Sequence, residues 1–222
     1  MKKTKLVYAI HSSTVSLGFL GELFEKLVPE AQIYNITDDS LLGGLYEYGV
    51  PTPDMLSRFC SYAVMAEKAG ADALFSQCSS YGEGVRLAKN LINIPFVQID
   101  RPMMEEAARI GNKIALVYTT DFPITSECNL LMECAANINK KIEFVPMLAK
   151  GALKVLMEEQ NVEKHDKMVM DLIDNPPSGV DCIALLPGSL YRLKDKLKDK
   201  KVPVLLSPES GVLALRKALK LD

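Results

Sequence analysis

Hydrophobic positions along this chain fall into short, unbroken apolar runs, which are separated by stretches with helical spacing. An unbroken run of strand length indicates a strand that is buried on both faces, and a 3.6-residue period indicates an amphipathic helix. The predicted strands span residues 6–10, 32–36, 73–76, 95–99, 113–118, 142–145, 182–186 and 202–206. Strands that alternate with helices predict parallel βαβ units, and therefore an α/β fold.

The stretches between the strands predict helices, bounded by Pro and Gly residues that stop a helix. They span residues 19–27, 54–69, 85–91, 102–110, 126–136, 151–160, 162–174, 191–201 and 211–220. Asp54 is the expected N-cap of the second of these helices. Residues 37–53 contain two Asp, three Gly and two Pro, so we expect a long functional or mobile loop there.

The two halves of the chain resemble each other at a spacing of about 108 or 109 residues. Residues 5–12 align with 113–120, residues 71–75 with 180–184, and residues 94–97 with 201–204 after an adjustment of one position. Each match is mostly a hydrophobic pattern, but the three matches occur in the same order. We therefore predict two similar α/β halves that face each other.

Polar residues follow four of the predicted strands, at corresponding places in the two halves. They are Ser12 and Ser13, Cys78 with Ser79 and Ser80, Thr119 and Thr120, and Gly188 with Ser189. Ligands of open α/β sheets bind outside the carboxyl ends of the strands, so facing halves would bring these residues into one cleft. Hydroxyl and backbone N–H donors suit a small carboxylate and can stabilise an enolate-like transition state. Taken singly, each hydroxyl fits ordinary turn chemistry; the recurrence favours a site.

Cys78 has the most reactive side chain in this group. It lies at the carboxyl end of the third predicted strand, before two hydroxyl residues and two nearby glycines. A thiol there is placed to act as a nucleophile or as the base that removes a proton from carbon, and local N–H groups favour its thiolate. The alternative is that Cys78 is a small buried hydrophobic residue, as lone cysteines usually are.

Composition limits the other possibilities. The chain has 222 residues, 48% of them hydrophobic, and a net charge of −2, which favours neither nucleic-acid nor membrane partners. Five cysteines without close pairs and only two histidines argue against a disulfide framework or a metal site, and no dinucleotide or P-loop motif occurs. The first ten residues lack the features of a signal peptide, so we expect a cytoplasmic protein.

Several short motifs, in their order and spacing, resemble the aspartate/glutamate/hydantoin racemase superfamily over nearly the whole chain. They are His11-Ser12-Ser13, Asp38-Asp39-Ser40-Leu41-Leu42, Cys78-Ser79-Ser80, Ile94-Pro95 leading to Asp100, Thr119-Thr120, and Ser207-Pro208-Glu209-Ser210-Gly211-Val212. Tyr48-Gly49 resembles the Tyr-Gly pair of a loop that contacts substrate in that family.

The resemblance implies two pseudo-symmetric Rossmann-like (flavodoxin-like) domains with parallel sheets and the active site in the cleft between them. The first domain would comprise residues 1–100 plus 207–222, and the second residues 101–206. The resemblance also implies a racemase or isomerase that needs no cofactor, neither pyridoxal phosphate nor metal, and a homodimer. In two-base members, one cysteine from each half flanks the α-carbon of a small carboxylate, so that one removes a proton and the other delivers one.

The chain departs from this pattern in its second half. By the internal repeat, Cys78 corresponds to Pro187, and Cys182 lies upstream within a predicted strand, where we expect it to be buried. We therefore predict Cys78 as the catalytic residue and His11 or Tyr48 as a candidate second proton donor. Two alternatives stay open, namely a single-cysteine decarboxylase or lyase of the same superfamily, and a non-catalytic protein that binds a small carboxylate. No arginine is clearly placed to select a substrate.

Overall fold

The strands that the apolar runs predict form two parallel sheets of four strands each. The computed structural model describes residues 4–221. The first sheet contains β1 (Lys5–His11), β2 (Ala31–Thr37), β3 (Ala73–Ser76) and β4 (Phe96–Gln98). The second contains β5 (Lys113–Tyr118), β6 (Glu143–Leu148), β7 (Cys182–Leu185) and β8 (Val204–Leu206). The prediction of an α/β fold with parallel sheets is confirmed.

Helices connect and cover the strands. They are α1 (Leu17–Leu27), α2 (Ser40–Tyr48), α3 (Pro53–Lys68), α4 (Gly82–Ala88), α5 (Arg101–Ile110), α6 (Thr125–Asn137), α7 (Ala152–Met157), α8 (Val162–Asp174), α9 (Lys194–Leu197) and α10 (Ser207–Ala218). Short 3₁₀ turns follow β3 at Ser79–Tyr81 and β7 at Gly188–Leu193. No helix within residues 4–221 is both long enough and apolar enough to cross a membrane.

The two sheets share one topology, as the internal repeat predicts. Their strand orders are β2-β1-β3-β4 and β6-β5-β7-β8, so each strand of the first sheet has a counterpart in the second. The pairing of Val7 with Ala73 corresponds to that of Ile114 with Cys182. Counting forward from these pairs, Pro187 occupies in the second sheet the position of Cys78 in the first. Both residues directly precede a 3₁₀ turn.

The prediction of an irregular loop over residues 37–53 is wrong, because α2 occupies most of this segment. Leu41 and Leu45 lie one helical turn apart, and both are buried in the core of the first half. The adjacent glycines disfavour a helix, so the sequence pattern alone does not indicate this apolar face. The expected N-cap at Asp54 is also wrong, since the Thr52 hydroxyl accepts a hydrogen bond from the Met55 N–H at 3.3 Å and caps α3.

The prediction of one charged helix over residues 191–201 is wrong, because a 3₁₀ turn and a short α-helix occupy most of this segment. The structure gives the 3₁₀ turn that ends at Leu193, followed by the four residues of α9. Leu190 and Leu193 are buried at the three-residue spacing that suits a 3₁₀ turn. The last helix, α10, begins at Ser207 rather than at residue 211.

The helix that follows the last strand of each sheet packs into the core of the other sheet. α10 follows the last strand of the second sheet, yet Val212 and Leu215 pack with Val7 and Ala9 of the first sheet. α5 follows the last strand of the first sheet, and its Met104 packs with residues of the second sheet. α5 and α10 also contact each other. α5 and α10 therefore lie at the boundary between the two sheets.

The close approach of α10 to β4 gives a first prediction. A Cβ atom added to Gly211 would lie 2.5 Å from the backbone oxygen of Ile99, which cannot move as a side chain can. We expect Gly211→Ala to lower the free energy of unfolding by about 1–3 kcal/mol, as overpacking does. Gly18→Ala in α1 is the matched control, because no atom lies within 4 Å of its added Cβ. It should instead stabilise by roughly 0.5–1 kcal/mol through helix propensity. Urea unfolding of both variants tests this prediction. Changes in the free energy of unfolding with the same sign in both variants would contradict the packing argument.

Candidate active site

Cys78 lies where β3 ends, at the start of the 3₁₀ turn. The N–H of Tyr81 donates to the Cys78 carbonyl at 3.3 Å, and the Tyr81 hydroxyl donates to the Leu41 carbonyl at 3.0 Å, so the turn is anchored to α2. The Ser12 hydroxyl and the backbone N–H groups of Ser80 and Tyr81 face the sulfur and lower its pKa. This is the set of donors that a thiolate needs.

Burial acts on this thiol in the opposite direction. Cys78 is 9% exposed. Removal from water raises its pKa to about 11 despite the donors, and the carboxyl of Glu127 contributes to the rise. The protonated thiol is therefore the favoured form of Cys78 at neutral pH.

The Cys78 turn is held against the second half by α6. The Ser80 hydroxyl donates to Glu127 Oε1 at 3.1 Å. The Ser126 hydroxyl donates to the Ser79 carbonyl at 2.9 Å and accepts from the Gly82 N–H at 3.2 Å. These three bonds join the end of a first-half strand to a second-half helix, so Cys78 lies at the boundary between the halves.

The corresponding turn of the second half contacts the first half in the same manner. The Tyr191 ring stacks on Phe19 of α1 with 6.1 Å between ring centroids, and its hydroxyl donates to Glu209 of α10 at 2.7 Å. Arg192 donates to the Ser189 carbonyl at 2.6 Å and forms an ion pair with Asp166. Arg192 thus supports this turn, and its charge is already paired.

The structure brings together only part of the predicted site. Ser12, Ser79 and Ser80 surround Cys78. The other predicted strand-end residues are Ser13, Thr119, Thr120, Gly188 and Ser189, all buried or half-buried at the ends of their strands. Within residues 4–221, no hydrogen bond joins any of these five to Cys78. Cys182 is buried within β7, as expected.

The two candidates for a second proton donor lie in different surroundings. His11 is fully buried, with Nε2 2.9 Å from Asn35 Oδ1, and burial lowers its pKa. It shares the sheet face of Ala9, whereas Cys78 packs on the opposite face with Ile10. Tyr48 is 57% exposed at the end of α2. Neither side chain has a recorded contact with Cys78 in the described part of the chain, and both roles stay predictions.

Two buried carboxyl groups beside Cys78 were not among the predicted site residues. Asp100 follows β4 and is fully buried. Ser79 and Gln98 approach its carboxylate and lower its pKa, yet neither oxygen makes a hydrogen bond of normal geometry with any residue from 4 to 221. Glu127 is 4% exposed, and its Oε2 has no hydrogen-bond partner among the same residues. A sequence signal existed for both: Asp100 follows a strand end, and Glu127 shares the apolar face of α6 with Leu130, Leu131 and Cys134.

Burial raises the pKa of both carboxyl groups, and the charge of Asp100 adds to the rise for Glu127. Burial raises the pKa of Asp100 to about 6. Burial, together with the charge of Asp100, raises the pKa of Glu127 to about 7. Buried carboxyl groups with pKa values near neutrality are suited to acid–base catalysis. Within residues 4–221, no three Asp, Glu, His or Cys side chains are grouped as metal ligands would be.

A cavity of about 890 Å³ lies beside this cluster, between α4 of the first half and α6 of the second. Ser80, Gln98 and Ser126 form its inner wall, and residues 49–51 line another side. Charged side chains of both signs also line it, among them Lys89 and the ion pair of Arg101 with Glu133. Cys78 does not line the cavity but lies two residues from Ser80, behind the wall.

Comparison with solved structures identifies the fold. A glutamate racemase from Francisella tularensis, solved with D-glutamate, superposes with a TM-score of 0.76 at 12% identity over 99% of this chain and 82% of that one. An aspartate racemase from Picrophilus torridus gives 0.72 at 14% identity over 98% and 95% of the two chains. An allantoin racemase from Klebsiella pneumoniae gives 0.67 at 16% identity over 98% and 89%.

The chain therefore has the two-sheet α/β fold of the glutamate, aspartate and allantoin racemases. The expected fold class is confirmed over almost the full length of the chain. No protein-family profile matches the sequence, and no curated protein matches it either. At this level of identity the comparison identifies the fold alone, so the chemistry must be argued from the residues of this chain.

Proposed function

We propose that this protein is a cofactor-independent racemase or isomerase that acts at the α-carbon of a small carboxylate of the aspartate, glutamate or hydantoin type. Cys78 exchanges the α-proton. The substrate enters through the cavity next to Ser80. The groups that hold the substrate are drawn from Ser12, Ser13, Tyr48, Ser79, Ser80, Thr119, Thr120, Gly188 and Ser189.

The observation that carries this proposal is the position of one thiol. Cys78 lies at the carboxyl end of a central strand, at the boundary between two similar halves, with one hydroxyl and two N–H groups facing its sulfur. Donors placed in this manner hold a thiolate, and they equally hold the developing charge on a carboxylate whose α-proton is leaving. Proteins of the same fold racemise aspartate, glutamate and allantoin, as their names state.

Two other functions have support of their own. Pro187 stands where the repeat would put a second cysteine, which favours a lyase or decarboxylase that uses one thiol. Burial of the Cys78 thiol, with its pKa raised to about 11, favours a protein that only binds a small carboxylate. The buried acid groups near the thiol argue against pure binding, because buried carboxyl oxygens that lack a hydrogen-bond partner in the described part of the chain are costly to keep.

Proton exchange in heavy water separates the three functions. Wild-type protein is incubated in D₂O with both enantiomers of aspartate and glutamate, with 5-substituted hydantoins and with substituted malonates, and the α-position is followed by NMR. The proposal predicts loss of the α-proton signal together with inversion. Release of CO₂ from a malonate would instead establish the decarboxylase. Saturable binding with no exchange and no release across the panel would establish the binding protein.

The proposal includes a cytoplasmic homodimer without nucleic-acid or membrane partners. Light scattering on the purified protein tests the dimer, and cell fractionation tests the location.

A further inference from the structure

In the part of the chain that the structure describes, the position equivalent to Cys78 in the second half holds no cysteine, yet a two-base reaction needs a second proton donor and acceptor. The residue at the equivalent position, Pro187, has no group that can titrate. Glu127 is a buried acid that reaches the Cys78 turn from the second half. In the described part of the chain it has one oxygen held by Ser80 and the other without a partner. An unpaired buried oxygen of this kind is costly unless it serves a purpose.

Ser80 sets the relation between the two groups. Its backbone N–H faces the Cys78 sulfur, and its hydroxyl binds Glu127 Oε1 at 3.1 Å. Cys78 and Glu127 influence each other electrostatically, but no hydrogen bond joins them. A thiol from one half and a carboxyl from the other therefore both contact Ser80, which lines the cavity.

We propose that Glu127 is the second catalytic acid–base group, so that this site uses a carboxyl–thiol pair in place of two thiols. This inference rests on the proposed racemase function and assigns its missing proton donor. Asp100 is a positioning residue that acts on Glu127 through its charge.

The reaction balances with these two groups alone. The Glu127 carboxylate takes the α-proton, and the electron pair of the C–H bond moves into the substrate carboxylate to give an enolate. The Cys78 thiol then gives its proton to the opposite face of the α-carbon. The product enantiomer leaves behind a Cys78 thiolate and a protonated Glu127, which is the form that runs the reverse reaction. Exchange with solvent restores the starting form.

The charge states of the two groups agree with this order of events. With pKa values of about 7 for Glu127 and about 11 for Cys78, the carboxylate–thiol form predominates between these values. Charged or titratable groups facing Glu127 are Asp100, which raises its pKa, and Cys78 and Cys128, whose own pKa values Glu127 raises. Arg101 acts on Asp100 and lowers its pKa.

Glu127→Gln keeps the shape of the side chain and removes its proton chemistry. On the substrate that the wild type racemises, with the enantiomers of aspartate and glutamate as first probes, we expect racemisation to fall about 10²–10⁴-fold. One enantiomer should still exchange its α-proton in D₂O without inversion, because Cys78 still faces it. Cys78→Ala should show the converse and exchange only the other enantiomer. Thermal unfolding of both variants checks that they fold.

The pH dependence of kcat/KM distinguishes a catalytic role of Glu127 from a structural one, because loss of a structural contact would not change the shape of the profile. The wild-type kcat/KM should rise through pH about 7 as Glu127 loses its proton, and Glu127→Gln should lack this rise. In Asp100→Asn the rise should shift to lower pH, because the charge that raises the pKa of Glu127 is gone. Glu105→Gln removes an exposed carboxyl on α5 and should leave the profile unchanged.

The outcomes separate this inference from the function on which it rests. If the wild type exchanges no α-proton at all, the proposed racemase is wrong and the inference falls with it. If the wild type racemises and folded Glu127→Gln does so at the same rate with the same pH profile, the function stands and Glu127 is not its second base. If Glu127→Gln exchanged the α-proton of neither enantiomer, this would also contradict the proposal that Glu127 acts on only one face of the α-carbon.

Discussion

Cys78→Ala is expected to lower kcat/KM for racemisation by about 10³-fold or more, because it removes a group that transfers a proton in the transition state. The loss should appear in kcat, since the substrate-holding hydroxyl and N–H donors around residue 78 remain in place. Steady-state polarimetry on the substrate found in the panel measures the effect. Cys78→Ser, which keeps a much weaker acid at the same position, should also be severely impaired.

Cys60→Ala is the matched control for this substitution. Cys60 is 8% exposed and Cys78 is 9% exposed, and both belong to the same apolar core cluster. The Cys60 sulfur lies 3.7 Å from the Gly84 carbonyl, away from the strand end. Removal of either sulfur should cost similar stability, but only the loss of Cys78 should cost activity. Equal activity of the Cys60→Ala and Cys78→Ala variants would show that Cys78 takes no part in the reaction.

Asp100→Asn is expected to stabilise the protein at pH 8 and to leave its stability near pH 4 almost unchanged. Asp100 has a pKa raised from 3.8 to about 6 by burial, so the native state holds a proton that the unfolded chain gives up. Stability therefore falls as pH rises through this interval, and the full penalty is present above it. At 1.36 kcal/mol per pKa unit, the penalty is about 3 kcal/mol. An amide at this position carries no charge to bury, so most of this penalty should disappear.

Urea unfolding of wild type and Asp100→Asn at several pH values between 4 and 8 measures this difference. Asp181→Asn is a control of opposite sign. Asp181 is exposed, and the N–H groups of Lys113 and Asn112 hold its pKa below the usual range. Its contribution is present at neutral pH and is lost as pH falls, so Asp181→Asn should be less stable than wild type at pH 8. Destabilisation by Asp100→Asn at pH 8 would show that the charged carboxylate is held by favourable contacts.

The elements that the sequence predicts best are those whose burial is uniform. The bounds predicted for β3 and β5 agree with the structure because all of β3 and the four inner positions of β5 are buried. α8 agrees for a related reason, since its apolar face is regular and Asn161 caps it by accepting from the Lys164 N–H at 2.9 Å. The internal repeat predicted two similar halves from three hydrophobic patterns, and the two sheets have equivalent strand orders.

The elements that the sequence does not predict depend on tertiary contacts. α2 has poor local signals, since two of its nine residues are glycine, and it is stabilised by packing of Leu41 and Leu45. A Cβ on Gly44 would lie 2.6 Å from the Met55 side chain, so this glycine serves the contact with α3. Propensity alone cannot predict a helix whose main support is another helix.

The candidate site shows the same division between local and tertiary information. The Cys78 turn could be found from sequence because a strand end followed by hydroxyls and glycines is a local pattern. The partnership with Glu127 could not, because it depends on how α6 of one half meets the turn of the other. Asp100 and Glu127 lie 27 positions apart, and only the folded chain shows that they share one buried environment.

The most direct test of the central claim follows the α-proton of aspartate and glutamate in D₂O, with wild type, Cys78→Ala and Cys60→Ala compared side by side by NMR. The account predicts exchange with inversion by wild type and Cys60→Ala, and loss of inversion in Cys78→Ala. Inversion by a folded Cys78→Ala variant at the wild-type rate would contradict it.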